Sequence, residues 1–493
     1  MALLVDHSIA EAVLRSLRLV LFLFACATFP AASFAQSATR TIVGASPNPS
    51  VAGQSVTIVA DVDAAGGGVA TGAVTFKDGP TTLGAATLSA VGANQSMLEA
   101  GGGRSCAVSV GGSLKCWGFN GFGELGDGTT TPRSTPVGVS GLSNSVVAVA
   151  AGDAHSCAVS GAAGLLCWGY NNLGALGDGT TATRLLPTRV SGFAIGDVAA
   201  VAAGAYHSCA ATRAGAAFCW GANGVGQIGD GTTTGRLTRT AVSGLSSGVR
   251  AVAAGGLHSC ALTTAGAVKC WGSNGFAQLG DGTATSRSRP VSVLGLSSGV
   301  VAISTSGHAT CAILAGGGLR CWGRNWYGGL GDGTTFNRNR PVAVAGLAGP
   351  VISVAVGIDH SCAVSVAGAV QCWGRNNLGQ LGDGSIVDRT RPVAVVGLSS
   401  GAVAVAVGEY HSCALLRTGG VRCWGYNAAG QLGDGTTTSR LTPVATRSLT
   451  ALLRARAQIS TTRLGVGGHA LKAIYPGDAN HAGSAGNVSH RVN

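Results

Sequence analysis

The sequence predicts an all-β protein whose largest part is a ring of small sheets. Glycine occupies 81 of the 493 positions, charged residues make up only 11% and apolar residues 46%. This composition favours short strands and turns and argues against a disordered chain. A segment of about 51 residues recurs seven times, and no segment shows a helical period.

Residues 1–35 have the pattern of a secretory signal peptide. Two arginines precede the apolar run Leu19–Ala25, and a stretch of small residues ends at Ala35. We expect cleavage after Ala35, which would leave an exported protein (secreted, periplasmic or at the cell surface) with no transmembrane span. An alternative takes Cys26 as the acceptor of a lipid anchor, although Phe24 is bulky for that motif.

Each repeat contains four strand-length segments separated by glycine turns. It begins with an apolar run, continues through Gly-x-x-His-Ser-Cys-Ala, a glycine turn and Cys-Trp-Gly-x-Asn, and ends with Leu-Gly-Asp-Gly-Thr and Pro-Val. Four strands in about 50 residues, repeated seven times, predict a seven-bladed β-propeller over residues 97–446. The Cys-Trp-Gly triplets start at Cys116, Cys167, Cys219, Cys270, Cys321, Cys372 and Cys423.

The repeat resembles that of the regulator-of-chromosome-condensation family, whose blades carry a Trp-Gly-x-Asn-x-x-Gly-Gln-Leu-Gly segment. Trp424-Gly425-Tyr426-Asn427 and Gly430-Gln431-Leu432-Gly433 reproduce it. The resemblance implies a binding scaffold, since exported bacterial members include a β-lactamase inhibitor that holds its target with one rim of aromatic loops. The guanine-nucleotide-exchange activity of eukaryotic members is an alternative. The signal peptide disfavours it, and the sequence shows no protruding hairpin of the kind that activity needs.

Fourteen cysteines follow the signal peptide as seven pairs, each with nine residues between its members. In the first repeat a three-residue loop, Val110-Gly111-Gly112, would place Cys106 directly opposite Cys116. Facing cysteines in an exported protein oxidise, so we expect seven disulfides, each stabilising by about 2–3 kcal/mol. Zinc sites favour Cys-x-x-Cys spacing, and redox catalysis needs a single exposed thiol. Both alternatives therefore fit the seven equal pairs less well than disulfides do. The predicted pairs are Cys106/Cys116, Cys157/Cys167, Cys209/Cys219, Cys260/Cys270, Cys311/Cys321, Cys362/Cys372 and Cys413/Cys423.

We interpret the other repeated residues as framework. Each Trp follows a Cys and points to the other face of its strand, which predicts seven Trp packed between blades. The Asp of each Asp-Gly turn stands six residues before an Arg, which predicts a turn with a local ion pair rather than a calcium loop. Equivalent histidines around a ring cannot converge on one substrate, so we interpret them as structural loop residues. They are His155, His207, His258, His360 and His411, with Arg104 and Ala309 in their place in repeats one and five.

Residues that depart from the repeat indicate where function lies. We expect the Gly-x-x-His turn and the Gly-x-Asn turn to lie at the same end of each blade. Of the twelve propeller aromatics other than the repeated Trp, nine fall in these turns, and Phe193, Phe218 and Phe336 do not. Aromatic and arginine side chains on a rigid rim predict a binding surface. The candidate binding residues are Phe119, Phe122, Tyr170, Tyr206, Phe276, Arg324, Trp326, Tyr327, Arg375, Tyr410 and Tyr426.

Residues 36–96 and 447–493 are predicted to be two parts of one Ig-like β-sandwich. They resemble the front and back of bacterial Ig-like domains in Val74-Thr75-Phe76-Lys77-Asp78-Gly79 and Tyr475-Pro476-Gly477-Asp478-Ala479-Asn480. Four expected strands and three more make the seven that a sandwich needs. The predicted fold is therefore a seven-bladed β-propeller inserted into an Ig-like β-sandwich. The expected strands are Thr41–Ser46, Ser55–Asp63, Gly72–Asp78, Thr81–Ser89, Ala455–Thr461, Gly468–Tyr475 and Asn487–Val492.

The predicted function is that of an exported, non-enzymatic binding scaffold whose rim holds an unknown protein or an envelope or surface ligand. We predict no catalytic residue, no metal and no cofactor, because no carboxylate pair, metal cluster or triad stands outside the repeat. An enzyme with a site in the propeller channel is the alternative from another class. Residues 99–446 carry 22 Lys or Arg against 14 Asp or Glu, a net of +8, without a basic stripe. We therefore expect no nucleic-acid partner. We also expect the protein to be a monomer.

Overall fold

A computed structural model describes residues 36, 38–46, 48–64, 70–90, 97–478 and 481–493. The predicted signal peptide, its cleavage site and Cys26 lie outside the described residues. The described residues form 36 β-strands in nine four-stranded antiparallel sheets, and none of them forms a helix able to cross a membrane. The prediction of an all-β fold is confirmed.

The strands follow one another in three groups. The N-terminal flank forms β1 (Thr39–Ser46), β2 (Val56–Ala64), β3 (Ala73–Asp78), β4 (Thr81–Thr87) and β5 (Ser89–Ala90). Blades 1–3 are β6 (Leu98–Gly101), β7 (Arg104–Val108), β8 (Leu114–Gly118) and β9 (Arg133–Gly138); β10 (Val146–Ala151), β11 (His155–Ser160), β12 (Gly164–Gly169) and β13 (Arg184–Arg189); β14 (Val198–Ala203), β15 (His207–Thr212), β16 (Ala217–Gly221) and β17 (Arg236–Ala241). Blades 4 and 5 are β18 (Val249–Ala254), β19 (His258–Thr263), β20 (Val268–Gly272) and β21 (Arg287–Ser292); β22 (Val300–Ser306), β23 (Ala309–Leu314), β24 (Leu319–Gly323) and β25 (Arg338–Ala343). Blades 6 and 7 are β26 (Val351–Val356), β27 (His360–Ser365), β28 (Val370–Gly374) and β29 (Arg389–Ala394); β30 (Ala402–Val407), β31 (His411–Leu416), β32 (Val421–Gly425) and β33 (Arg440–Ala445). The C-terminal flank forms β34 (Leu453–Thr461), β35 (Gly467–Tyr475) and β36 (Ser484–Val492).

Seven of the sheets are the blades of the predicted propeller, which is confirmed. In each blade the first strand lines a central channel and the fourth is the outer edge. The second and third strands form a hairpin that sets the two cysteines opposite each other, as at Cys260 and Cys270, and all seven predicted pairs are joined as disulfides. The hairpin turn needs a left-handed residue, supplied by Gly266 with φ of 79° in blade 4 and by Gly164 in blade 2, where Ala163 holds the usual position.

The repeated Trp residues hold neighbouring blades together, as predicted. Trp271 of blade 4 is fully buried and packs into the core of blade 3. Its Nε1 also donates a hydrogen bond of 2.9 Å to the Gln227 carbonyl of blade 3, and the other six Trp repeat this bond across their own blade boundaries. The sequence predicted the packing but not this bond.

The five histidines begin the second strand of their blades, so their expected location in loops is wrong. Nε2 of His258 lies 2.9 Å from the Thr310 hydroxyl of the next blade, and that hydroxyl donates to the Gln278 carbonyl. Since the hydroxyl proton is used there, Nε2 must be the donor to Thr310. Burial lowers the pKa of these rings, to about 3 or about 4, so they are neutral. The other bonds of this kind are His155–Ser208, His207–Ser259, His360–Ser412 and His411–Ser105.

The ends of the propeller meet in one strand of blade 1. β6 has only four residues, and the rest of that strand position is filled from the far end of the propeller: Ala451 forms a bridge with Ser109, and the Leu452 amide donates to the Val108 carbonyl at 2.8 Å. The C-terminal segment thus closes the ring, and the propeller extends past its expected end at residue 446.

The two remaining sheets mix strands from both flanks. Their orders are β1-β2-β34-β5 and β36-β35-β3-β4, and they share a core that includes Ile58, Phe76 and Tyr475. The prediction of a single strand at Thr81–Ser89 is wrong. The strand is interrupted at the buried Leu88, so that β4 lies in one sheet and β5 in the other.

This two-sheet unit contacts the ring at the hairpin end of the blades. Arg454 of β34 is fully buried, pairs with Asp63 of β2 at 2.9 Å and donates from Nη1 to the Val147 carbonyl of blade 2 at 2.7 Å. A buried arginine needs such partners, so this contact ties the two parts together. The opposite end of the ring carries the turns that precede the second strands.

Candidate functional site

At the end of the ring away from the two-sheet unit, each blade presents the turn before its second strand and the turn after its third. In blade 7 these turns carry Tyr410 and Tyr426, whose rings lie 6.4 Å apart and whose backbones are joined by a 2.9 Å hydrogen bond. The same backbone bond joins the two turns of the other blades, for example Tyr170 to Ala154. We call this end of the ring the aromatic face.

The aromatic side chains contact one another across blade boundaries. Tyr170 of blade 2 lies 4.9 Å from the ring of Phe122 in blade 1 and 6.2 Å from that of Tyr206 in blade 3. In blades 4 and 5 the rings of Phe276 and Trp326 are 5.3 Å apart and nearly perpendicular. Such edge-to-face contacts hold the rings in place and leave part of each ring in solvent.

Exposure separates these residues from the framework. The seven repeated Trp are 0% exposed, whereas Trp326 is 54% exposed, and Phe119, Phe122 and Tyr206 are 40–42% exposed. Large apolar side chains left in solvent on a rigid base are the residues that contribute most to protein interfaces. The remaining predicted aromatics, Tyr170, Phe276, Tyr327, Tyr410 and Tyr426, are half-buried.

The two predicted arginines support the aromatic rings. The Arg324 guanidinium lies 4.6 Å from the Trp326 ring centre, and that of Arg375 lies 4.9 Å from the Tyr327 ring centre. Both form ion pairs with Asp359 of blade 6. Because the Arg324 side chain is only 12% exposed, it holds the rings from below and is not the exposed contact residue that the sequence predicted.

A repeated network holds each turn of the aromatic face rigid. In blade 5 the Asn325 amide donates to Asp332 and to the carbonyls of Thr334 and Phe336, and its oxygen accepts from the Leu330 amide. Asp332 in turn pairs with Arg338 at 2.6 Å, and all seven predicted Asp–Arg pairs are present. Burial alone would raise the pKa of Asp332, but hydrogen bonds from Thr334 and Arg338 lower it overall.

Three exposed apolar residues beside this face are not among the predicted binding residues. Phe336, Ile386 and Val387 are 72%, 60% and 54% exposed and follow the Asp-Gly turns of blades 5 and 6. The other blades have threonine, serine, alanine, glycine or proline in this segment, so the departure from the repeat was a visible signal. It was overlooked because Phe336 lies outside the two turns on which the prediction was built.

The central channel has a cavity volume of about 130 Å³ and is lined mainly by glycine, alanine and valine, with Glu99, Asp153 and Glu409 as its carboxylates. Burial raises the pKa of Asp153, and Glu409 raises it further, while Arg104 lowers it. The described lining contains no His, Cys, Lys or Arg. Among the described residues, no cluster of three or more His, Cys, Asp or Glu could hold a metal ion.

Comparison with known proteins gives consistent matches. Residues 62–405 match the RCC1-like domain, and residues 402–431 match the regulator of chromosome condensation (RCC1) repeat. The chain is 33% identical over 287 residues to the Ultraviolet-B receptor UVR8 of Arabidopsis thaliana, a match that covers 57% of this chain and 65% of that protein. It is 32% identical over 318 residues to the E3 ubiquitin-protein ligase HERC2 of Homo sapiens, covering 62% of this chain and 7% of the ligase. The chain thus spans less than two thirds of either relative.

Solved structures show the same fold at lower identity. Human WBSCR16 superposes with a TM-score of 0.61 at 23% identity, covering 70% of this chain and 98% of that one. Yeast RCC1 (Prp20), in its complex with Kap60, superposes with a TM-score of 0.60 at 20% identity, covering 70% of this chain and 88% of that one.

Proposed function

Because the chain belongs to the RCC1-like domain family, we propose that it is a non-enzymatic binding protein that holds a partner protein on its aromatic face. The observation that carries the proposal is the contrast between two sets of aromatic residues. The repeated Trp are fully buried, whereas Trp326, Tyr206 and Phe122 are exposed on one end of a rigid ring.

A partner has to reorganise this face only slightly when it binds. Ring contacts, the Asn network and the Asp–Arg pairs fix the turns before binding. A surface fixed in this way loses little conformational entropy when a partner docks. Protein binding also agrees with what is known of one protein of this fold, since yeast RCC1 binds Kap60.

We propose that the two-sheet unit is an Ig-like domain that carries the propeller as an insertion and acts as its mount. It contacts the ring at the hairpin end through Arg454 and Val147, and therefore leaves the aromatic face uncovered. Seven disulfides favour an oxidising compartment, so we also propose that the protein is exported.

A variant that removes five rings of the aromatic face tests the proposal. Changing Tyr170, Tyr206, Trp326, Tyr410 and Tyr426 to Ala should abolish capture of the partner, because truncation of single hot-spot residues costs about 2 kcal/mol or more. The wild-type and variant proteins are immobilised and incubated with envelope and host protein extracts. The captured proteins are then identified by mass spectrometry. We expect at least one protein to be retained by the wild type and lost from the variant.

The matched control removes exposed apolar side chains elsewhere. Val51, Ile195, Val366 and Val466 are 59%, 51%, 63% and 74% exposed and lie outside the aromatic face. Changing these four to Ala should leave capture unchanged. Equal capture by the wild type and the aromatic variant, with both correctly folded, would refute the proposed function.

A further inference from the structure

The positive charge of the propeller is concentrated in three adjacent blades. Residues 249–397, which form blades 4–6, carry eleven Lys or Arg against five Asp or Glu, a net of +6. Residues 97–248, which form blades 1–3, carry eight against seven, a net of +1. The excess positive charge is therefore distributed unevenly around the ring.

Three exposed arginines account for much of this asymmetry. Arg289, Arg340 and Arg391 occupy the third position of the outermost strand in blades 4, 5 and 6. We call these three residues the arginine arc. Other blades have Thr135, Leu186, Thr238 and Thr442 at the same position.

The arc lies at the blade boundaries, against the Asp-Gly turn of the preceding blade. A Cβ on Gly231 would lie 2.6 Å from Nη2 of Arg289, and one on Gly333 would lie 2.9 Å from Nη2 of Arg391. These turns belong to the networks that carry the aromatic face, so the arc borders that face on its outer side. The neighbouring Arg287, Arg338 and Arg389 are paired with Asp, whereas in the part of the chain that the structure describes no carboxylate lies in ion-pair range of the arc.

We propose that the arginine arc and the exposed apolar residues beside it dock an acidic polypeptide segment of the partner that also bears apolar side chains. Guanidinium groups without an ion-pair partner bind carboxylates, and equally phosphates, in a bidentate manner. Phe336 follows Gly333 in the turn against which Arg391 packs, and Ile386 and Val387 follow the equivalent turn of blade 6. This inference rests on the proposed function, because it takes the aromatic face as the docking surface. It places the partner over blades 4–6 and not over the centre of the ring.

The aliphatic side chains favour a polypeptide over a nucleic acid. Ile386 and Val387 can pack against apolar side chains of a polypeptide, whereas of the three exposed apolar residues beside the arc only Phe336 offers a flat ring on which a base could stack. A polypeptide can place its carboxylates at the arc and its apolar side chains against Phe336, Ile386 and Val387.

The test uses fluorescein-labelled poly-L-glutamate and a glutamate–tyrosine copolymer as probes of the full-length protein. Arg289→Thr, Arg340→Thr and Arg391→Thr, combined in one variant, introduce the residue that other blades already carry and should preserve the fold. This variant should bind poly-L-glutamate about tenfold more weakly than the wild type in fluorescence anisotropy, and added salt should reduce the difference. The wild type should bind the glutamate–tyrosine copolymer more tightly than poly-L-glutamate. A variant that combines Phe336→Thr, Ile386→Thr and Val387→Thr should lose this preference and bind poly-L-glutamate as the wild type does.

The control removes the same charge from positions off the arc. Lys115→Gln, Arg320→Gln and Arg422→Gln change third-strand residues to the Gln that blade 6 carries as Gln371, and affinity should stay within about twofold of the wild type. Equal weakening by the two triple variants would overturn the proposal, since net charge alone would then explain binding. Tighter binding of duplex DNA than of either probe would overturn it in favour of a nucleic acid. Poly-L-glutamate has no aromatic groups, so its binding tests the arginine arc alone. If the arc variant binds it as well as the wild type does, this inference fails but the proposed function does not. If the aromatic variant still captures the partner, the proposed function fails.

Discussion

Replacing Trp271 by Ala is expected to destabilise the propeller by about 3–5 kcal/mol. The indole is fully buried at the boundary of blades 3 and 4, so its loss leaves a cavity between two sheets. The Gln227 carbonyl is not orphaned, because the Ser259 hydroxyl still donates to it at 2.9 Å, and the cost therefore comes from packing. Denaturant unfolding under non-reducing conditions measures the change.

Trp326 supplies the matched control in the same chain. Its ring is 54% exposed and contacts Phe276 and Arg324, so Trp326→Ala should lower the free energy of unfolding by only about 1 kcal/mol. The two variants should show opposite behaviour, since loss of Trp326 should weaken partner binding with little loss of stability. Equal destabilisation by both substitutions would contradict the division between framework and contact residues.

Mild acid is expected to destabilise the protein strongly. Burial lowers the pKa of His155, His258 and His360 to about 3 and that of His207 and His411 to about 4. In the unfolded chain the same groups titrate near 6.5, so the unfolded state binds more protons, and stability is lost as the pH falls from about 6.5 towards the folded values. At about pH 5 each histidine should cost about 2 kcal/mol relative to neutral pH. The seven paired Asp, whose pKa is lowered in the fold, add losses only below about pH 4.

The pH dependence of the unfolding midpoint, followed by circular dichroism, checks this expectation. A His258→Gln/His411→Gln variant removes two of the five titrating rings and keeps a side chain that can donate to Thr310 and Ser105. Between about pH 7.5 and about pH 5 it should lose about 4 kcal/mol less stability than the wild type. A flat profile for the wild type, or the same slope for both proteins, would show that the buried rings do not govern acid stability.

Contacts within a blade could be predicted from the sequence because seven copies repeat them. The spacing of Cys260 and Cys270 is enough to place them opposite each other, and the alternation of side chains sends Trp271 to the other face. The Asp-x5-Arg spacing likewise predicts an ion pair within one turn. Each of these inferences needs only local geometry, which a repeated pattern specifies well.

Apart from the packing of the repeated Trp, contacts between blades could not be predicted, because they depend on how the sheets are placed around the ring. The hydrogen bond from His258 to Thr310 crosses a blade boundary. The position of the Arg324 side chain beside the Trp326 ring likewise depends on its ion pair with Asp359 of the next blade. The arginine arc was missed for the same reason: residues 51 apart in the chain become neighbours only when the ring is built. The pairing of Ala451 with Ser109, which closes the ring in blade 1, likewise joins residues from the two ends of the propeller.

The most direct test of the account is hydroxyl-radical footprinting of the protein alone and in complex with the captured partner. If the exposed aromatic face is the binding surface, oxidation of Trp326, Tyr206 and Phe122 should fall sharply in the complex. Val366 at the hairpin end and Val466 of the two-sheet unit should be oxidised equally in both samples. Protection of Val366 or Val466, with Trp326 still fully reactive, would contradict the account.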